Sequence, residues 1–226
     1  MSRYTWLLDP GHGGIIDGVY QTAGKRSPAF PDGTVLYEGE FNRDIVRMLL
    51  NLCAGLKDDG SAFKPGGHPL WHPRKAEIID AIDIVDSLED ISLRKRVTKA
   101  NTLHAEKKNC IYVSIHANAF GNGKDFNSAK GVNTFHHYRS ATGKRLAESL
   151  QGHLADLTPL RDRGVRSNDS WANFYVLRKT NMPAVLSENG FMTNFDDATA
   201  LLDPNVRAQI AWAHYAMIQE IEENGL

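Results

Sequence analysis

Three short apolar runs restrict the fold of this chain more than any other feature. They are Thr5-Trp6-Leu7-Leu8, Ile111-Tyr112-Val113-Ser114-Ile115 and Pro183-Ala184-Val185-Leu186-Ser187. Each is rich in β-branched or aromatic residues and nearly without polar alternation, the pattern of a strand buried on both faces. Helical stripes lie between them. Phe41, Ile45, Val46, Leu49, Leu50 and Leu52 form one stripe, and a helix starting near Ser92 places Leu93, Val97 and Ala100 on one face. Further helices are predicted over 142–157 and 206–221. Ala81–Val85 and Val132–Tyr138 alternate like shorter strands. Such alternation predicts an α/β fold: a single domain over 1–226 with a mostly parallel twisted sheet and helices on both faces. The stretch from Gly60 to His72 breaks the pattern, and Lys64-Pro65-Gly66-Gly67-His68-Pro69 reads as a loop or insertion at about 60–80.

The ends of the three runs carry the chemistry. The first leads into Asp9-Pro10-Gly11-His12-Gly13-Gly14 and the second into His116-Ala117-Asn118-Ala119. The third ends in Glu188-Asn189-Gly190-Phe191. Ligands of open α/β sheets bind beyond the carboxyl ends of the strands, so two imidazoles and a carboxylate converge there. That convergence points to a metal site. Leu36-Tyr37-Glu38-Gly39-Glu40-Phe41-Asn42 adds two carboxylates at the head of a helix. Steps of three and four from Glu38 reach Phe41, Asn42, Ile45, Leu49 and Leu52, the core-facing stripe. From Glu40 they reach Arg43, Asp44, Arg47 and Asn51, a solvated face. Glu38 is therefore predicted to point inward and Glu40 outward.

Composition excludes several functions. The net charge of -1 offers no electrostatic footprint for nucleic acid. The acidic C-terminal segment Ile218–Glu223 argues against a membrane-active tail, and no run is long enough to span a bilayer. Cys53 and Cys110 read as buried free thiols, too few for a thiolate metal site. Met1-Ser2-Arg3-Tyr4 runs straight into the first strand without the apolar segment of a signal peptide. The expectation is a chain that is made in the cytoplasm and stays there unless something exports it or a leader was removed.

With these residues in place, the chain resembles the zinc-dependent N-acetylmuramoyl-L-alanine amidases found in bacterial autolysins and phage endolysins. The resemblance rests on Asp9–Gly14, on Glu38 with Asn42, and on Leu93, Arg96, Ala100 and Asn101. It continues through Ser114–Ala119, Gly164-Val165, Val176–Arg178 and Pro183–Leu186, and ends on Glu188 with Phe191 and Asn194. It implies one zinc per chain held by His12, Glu38 and His116, with Glu188 as the catalytic base and then acid. The implied substrate is peptidoglycan, cut between the lactyl carbonyl of N-acetylmuramic acid and L-alanine of the stem peptide. The chemistry suits the residues independently. Two histidines and a carboxylate leave a coordination position open on zinc, and a separate carboxylate is needed to move a proton to the departing amine. Asn118 and Asn189 flank the site as candidates for substrate polar groups.

Two other classes fit part of this pattern. A zinc metallopeptidase acting on wall peptides uses the same ligand set, and a non-catalytic wall-binding module would need no Glu188. The remaining histidines (His68, His72, His104, His136, His137, His153 and His214) lack ligand spacing, and at most one of His136 and His137 would face the sheet crevice. Trp71 and Trp171 are candidate sugar-stacking residues in loops; Arg161, Arg163, Arg166 and Lys179 are candidates for a stem-peptide carboxylate. A phage or prophage endolysin is the favoured setting, and a bacterial wall-turnover enzyme the alternative.

Overall fold

The computed structural model describes residues 2–55, 78–169 and 172–226. Most of the 60–80 segment, with His68, Trp71 and His72, and also Trp171, lies outside the described residues. Among the described residues, eight strands and six helices follow in the order β1 (Thr5–Pro10), β2 (Ile15–Ile16), β3 (Val19–Tyr20), α1 (Glu38–Cys53), β4 (Asp80–Asp83), α2 (Leu93–Lys107), β5 (Cys110–Asn118), β6 (Val132–His137), α3 (Ala141–Leu157), β7 (Asp162–Asn168), α4 (Tyr175–Lys179), β8 (Ala184–Phe191), α5 (Phe195–Leu202) and α6 (Pro204–Asn224). Six strands form one sheet in the order β4-β1-β5-β8-β6-β7. Neighbours run parallel except at β6 and β8. The predicted α/β architecture is the observed one.

The apolar runs form the centre of this sheet because neither of their faces meets water. Trp6, Leu8, Ile111, Val113, Ile115 and Val185 pack on one face, under α1, α3 and α6. Leu7, Tyr112 and Leu186 pack on the other, with α2 and α4. The alternation follows from the two-residue period of a strand. It carries past the core: Asp9, Ser114, His116 and Glu188 share the face of Leu7, because Leu7 pairs with Tyr112, Asp9 with Ser114 and His116 with Glu188. Both cysteines are buried free thiols.

One expectation needs correction, and several features of the fold were not anticipated. Leu93 is half exposed, and the buried stripe of α2 is Arg96, Val97 and Ala100; a buried guanidinium is invisible to a hydrophobic periodicity. β6 runs antiparallel to β8, with His136 paired to Val185 near the start of that strand. His136 and His137 therefore sit at the far end of the sheet from Glu188. The segment after β1 contains the β2–β3 hairpin, which the sequence patterns did not mark. Its turn residues Asp17 and Gly18 both have positive φ (49° and 78°), as a two-residue turn with the twist of a hairpin requires. Asp-Gly was the readable signal. β7, α4 and α5 also escape a period-based reading, because α4 and α5 are short and β7 is a largely polar edge strand. Among the described residues no helix is long and apolar enough to cross a membrane.

Candidate metal and catalytic site

His12, just past the end of β1, His116, near the carboxyl end of β5, and Glu38, at the head of α1, converge at one edge of the sheet. Nε2 of His12 lies 3.2 Å, and Nδ1 of His116 3.0 Å, from Oε1 of Glu38. The two rings stand edge to face with centroids 5.1 Å apart. One ligand atom from each residue falls within a 4.8 Å group. Two ligands held ~2.0–2.1 Å from a tetrahedral ion lie roughly 3.3 Å apart, close to the separations seen. The donor set, two imidazoles and a carboxylate, suits a borderline divalent cation. Oε2 of Glu38 and Oε2 of Glu188 are both buried without a hydrogen-bond partner, so the site holds more carboxylate than its own donors satisfy. These residues fit a divalent metal.

Each member is aimed by local structure. His12 adopts φ 68°, a left-handed conformation that costs a non-glycine residue energy and persists only where neighbours over-determine it. The neighbours are explicit. The His12 carbonyl accepts from Arg43 Nη2 at 2.9 Å and Arg96 Nη2 at 3.0 Å, and Asn42 Nδ2 donates to the Gly11 carbonyl at 2.9 Å. Arg96 also donates to the Pro10 carbonyl and pairs with Asp9, whose second oxygen accepts from the hydroxyls of Tyr112 and Ser114. Burial opposes ionisation of Asp9, yet the guanidinium and the Tyr112 hydroxyl hold its carboxyl below the usual range. A buried charge is tolerable when paired and fully hydrogen-bonded in this way.

Glu38 is the first residue of α1 and buried, whereas Glu40 is turned from the site and accepts from the Ile15 amide at 2.9 Å. The inward and outward assignments of these carboxylates follow the helical stripe as expected. Gly39 lets α1 come this close: a Cβ there would stand 1.8 Å from the Gly13 carbonyl oxygen. Tyr20 accepts from the Gly39 amide at 2.9 Å, so the unforeseen β2–β3 hairpin braces the head of the same helix. Burial works against a charged Glu38, but the hydrogen bonds and positive charge of His116 and His12 prevail and hold its carboxyl far below normal. Lys25 Nζ stands 4.0 Å from its Oε2.

Glu188 sits beside this group, cross-strand from His116. Burial pushes its carboxyl up to about 7, with His116 pulling down and Glu38 pushing up. Among the described carboxylates here, environment thus drives two neighbours apart, one firmly ionised and one poised near neutrality. Carboxyl groups held apart in this way can take different chemical roles in one site.

The asparagines part company. Asn118 stands partly exposed at the end of β5, its Oδ1 accepting from the Ala119 amide at 2.8 Å. Asn189 is wholly buried, away from the rim where a substrate polar group was expected; its Nδ2 is spent on His116 and Ser187, and its Oδ1 is buried with no hydrogen-bond partner among the described residues. Arg163 is also committed, lying over the Phe191 ring at 5.0 Å and donating to Asn133 and the Lys130 carbonyl. Sequence reasoning missed Tyr20, Arg43 and the supporting role of Asp9, Arg96 and Tyr112, because their contacts link elements far apart in the chain.

Comparison with known proteins gives one answer throughout. Residues 75–220, which contain His116 and Glu188, match the family model described as N-acetylmuramoyl-L-alanine amidase. The chain is 32% identical to N-acetylmuramoyl-L-alanine amidase LytC of Bacillus subtilis over 201 residues, 87% of this chain and 31% of that protein. It is 34% identical to the endolysin of Bacillus phage SPP1 over 224 residues, 98% of this chain and 66% of that one. The crystal structure of N-acetylmuramoyl-L-alanine amidase from Clostridium difficile 630 superposes with a TM-score of 0.72 at 25% identity, covering 99% of both chains. The chain spans about a third of the length of LytC and of a Bacillus anthracis cell wall amidase that it also matches. With a family model covering more than half of its residues, the chain belongs to the N-acetylmuramoyl-L-alanine amidase family.

Proposed function

We propose that residues 1–226 form one zinc-dependent catalytic domain that hydrolyses the amide between N-acetylmuramic acid and L-alanine in peptidoglycan. The observation that carries this reading is the convergence of His12, Glu38 and His116 with a buried, unpartnered Glu188 oxygen beside them. Zinc bound by those three side chains supplies Lewis acidity, polarising a carbonyl and bringing the pKa of water toward ~7. Glu188 takes the proton of the attacking water and hands it to the departing nitrogen, which leaves poorly as an anion. A carboxyl near neutrality can do both. Asp9, Arg43, Arg96 and Asn42 keep the His12 turn in place, and Asn118 at the rim is positioned to meet a polar group of the substrate. Family membership supports peptidoglycan as the partner, and likeness to a phage endolysin and to bacterial wall amidases supports action at the cell wall.

Mass spectrometry of digested peptidoglycan tests the bond. Free stem peptides with an N-terminal alanine, produced only with zinc present, are the expected products. Cleavage within the stem peptide would assign a metallopeptidase instead, and binding without products a non-catalytic module.

A further inference from the structure

The pairing of β5 with β8 breaks next to the metal site. His116 pairs with Glu188, but the next pair is Asn118 with Phe191, so Ala117 faces both Asn189 and Gly190. The extra residue is a β-bulge, and Gly190, at φ 89°, supplies the left-handed conformation it needs. In a parallel sheet successive carbonyls point to opposite neighbours. The Ile115 carbonyl accepts from the Gly11 amide of the β1 side, so that of His116 faces β8. There it accepts from a side chain: Asn189 Nδ2 lies 3.0 Å from the His116 oxygen.

That amide has no freedom to turn. Its Nδ2 also donates to Ser187 Oγ at 2.9 Å; Ser187 Oγ lies 2.9 Å from His214 Nε2, and His214 Nδ1 lies 2.8 Å from the Ile210 carbonyl. The Ile210 oxygen can only accept, so Nδ1 carries the proton and Nε2 is bare. The Ser187 hydroxyl then donates to Nε2 and is left to accept from Asn189. Every proton along the chain from α6 to the His116 carbonyl has one direction. Ser187, Asn189 and His214 are all fully buried, and burial holds His214 neutral at neutral pH, its pKa down at about 4.

We propose that Asn189 is a positioning residue for His116: its amide replaces the ladder hydrogen bond that the bulge removes, and Ser187 with His214 fixes that amide as a donor. The bulge interrupts the β5–β8 ladder beside Glu188; the Asn189 bond holds the metal-ligand residue on β5 across that interruption. The inference rests on the reading of His116 as a zinc ligand.

The test compares Asn189→Leu and Asn189→Ala with the wild type in zinc affinity, by chelator competition, and in the visible spectrum of the cobalt(II)-substituted protein. Leucine keeps the γ-branched shape of asparagine but cannot donate, and alanine removes the amide without adding bulk. Loss of an outer-shell partner typically weakens metal binding 10- to 100-fold, so both variants should bind zinc at least tenfold more weakly and show an altered cobalt spectrum. At saturating zinc, kcat should fall with KM unchanged. Wild-type affinity and spectrum in Asn189→Leu would overturn the inference and show that Asn189 only fills space. Should the Asn189 variants not fold, Ser187→Ala, which frees the amide to rotate, is expected to weaken zinc severalfold, and unchanged affinity there would equally overturn it. Failure of the wild type to bind zinc would instead refute the metal site itself.

Discussion

Gly11 is where a single methyl group should abolish metal binding while leaving the fold intact. It follows Pro10 in β1, so it stands across from His116, and its amide donates to the Ile115 carbonyl at 3.0 Å. A Cβ on Gly11 would lie 2.1 Å from Cε1, 2.4 Å from Nδ1 and 2.6 Å from Nε2 of the His116 ring. Non-bonded carbon atoms settle at roughly 3.5 Å or more, so the ring would have to retreat by about 1.4 Å. The β1 backbone cannot give way instead, being laddered to β4 and β5 and tied to Asn42 at the Gly11 carbonyl. Metal sites tolerate ligand displacements of only ~0.2 Å. Gly11→Ala should therefore lose zinc affinity by at least about 100-fold, or ~2.7 kcal/mol. Gly152→Ala is the control: its Cβ meets nothing within 4 Å on α3, and removing a helical glycine stabilises by about 0.5–1 kcal/mol. The assay is chelator competition for zinc, with circular dichroism to check the fold. A folded Gly11→Ala protein with wild-type zinc affinity would refute the argument that the two strands leave His116 no second position.

The other expectations concern the proton, the clamp and pH. Glu188→Gln keeps the volume but not the base, so zinc content and fold should persist while kcat falls by about two to four orders of magnitude; a zinc-depleted variant would make Glu188 a ligand, and a fully active one would exclude it from proton transfer. Arg96→Met strands the buried Asp9 carboxylate and should cost about 3–5 kcal/mol in urea unfolding, together with weaker zinc binding as the His12 turn loosens; a loss under 1 kcal/mol would show that Arg43 alone holds it. His214 titrates at about 4 when folded, against about 6.5 for an unperturbed imidazole. The unfolded chain thus binds the extra proton first as pH falls, and stability should decline by about 1 kcal/mol between pH 7.5 and 5.5 from this group alone. In His214→Gln the drop in melting temperature over that interval should be smaller, and an identical drop would mean that His214 gains a proton in the folded state too.

What the sequence disclosed was whatever depends on local pattern. Continuous apolar runs marked β1, β5 and β8 because strands covered on both faces have no polar side to show. The 3.6-residue period separated Glu38 from Glu40, since two residues along a helix turn a side chain by about 200°. Residues at strand ends announced the site because an α/β sheet collects them at one edge. Tertiary structure alone decided the rest. Whether β6 runs with or against its neighbours is set by chain connection and packing, and that direction places His136 and His137 away from Glu188. Arg96 sits where a hydrophobic residue would be expected, because Asp9, 87 positions away, neutralises it. Asn189 follows Glu188 by one position and so shares the Ser187 face of β8, and only the single-residue bulge between β5 and β8 brings its amide to the His116 carbonyl. The energy that selects that bulge lies in contacts between strands more than seventy residues apart in the chain.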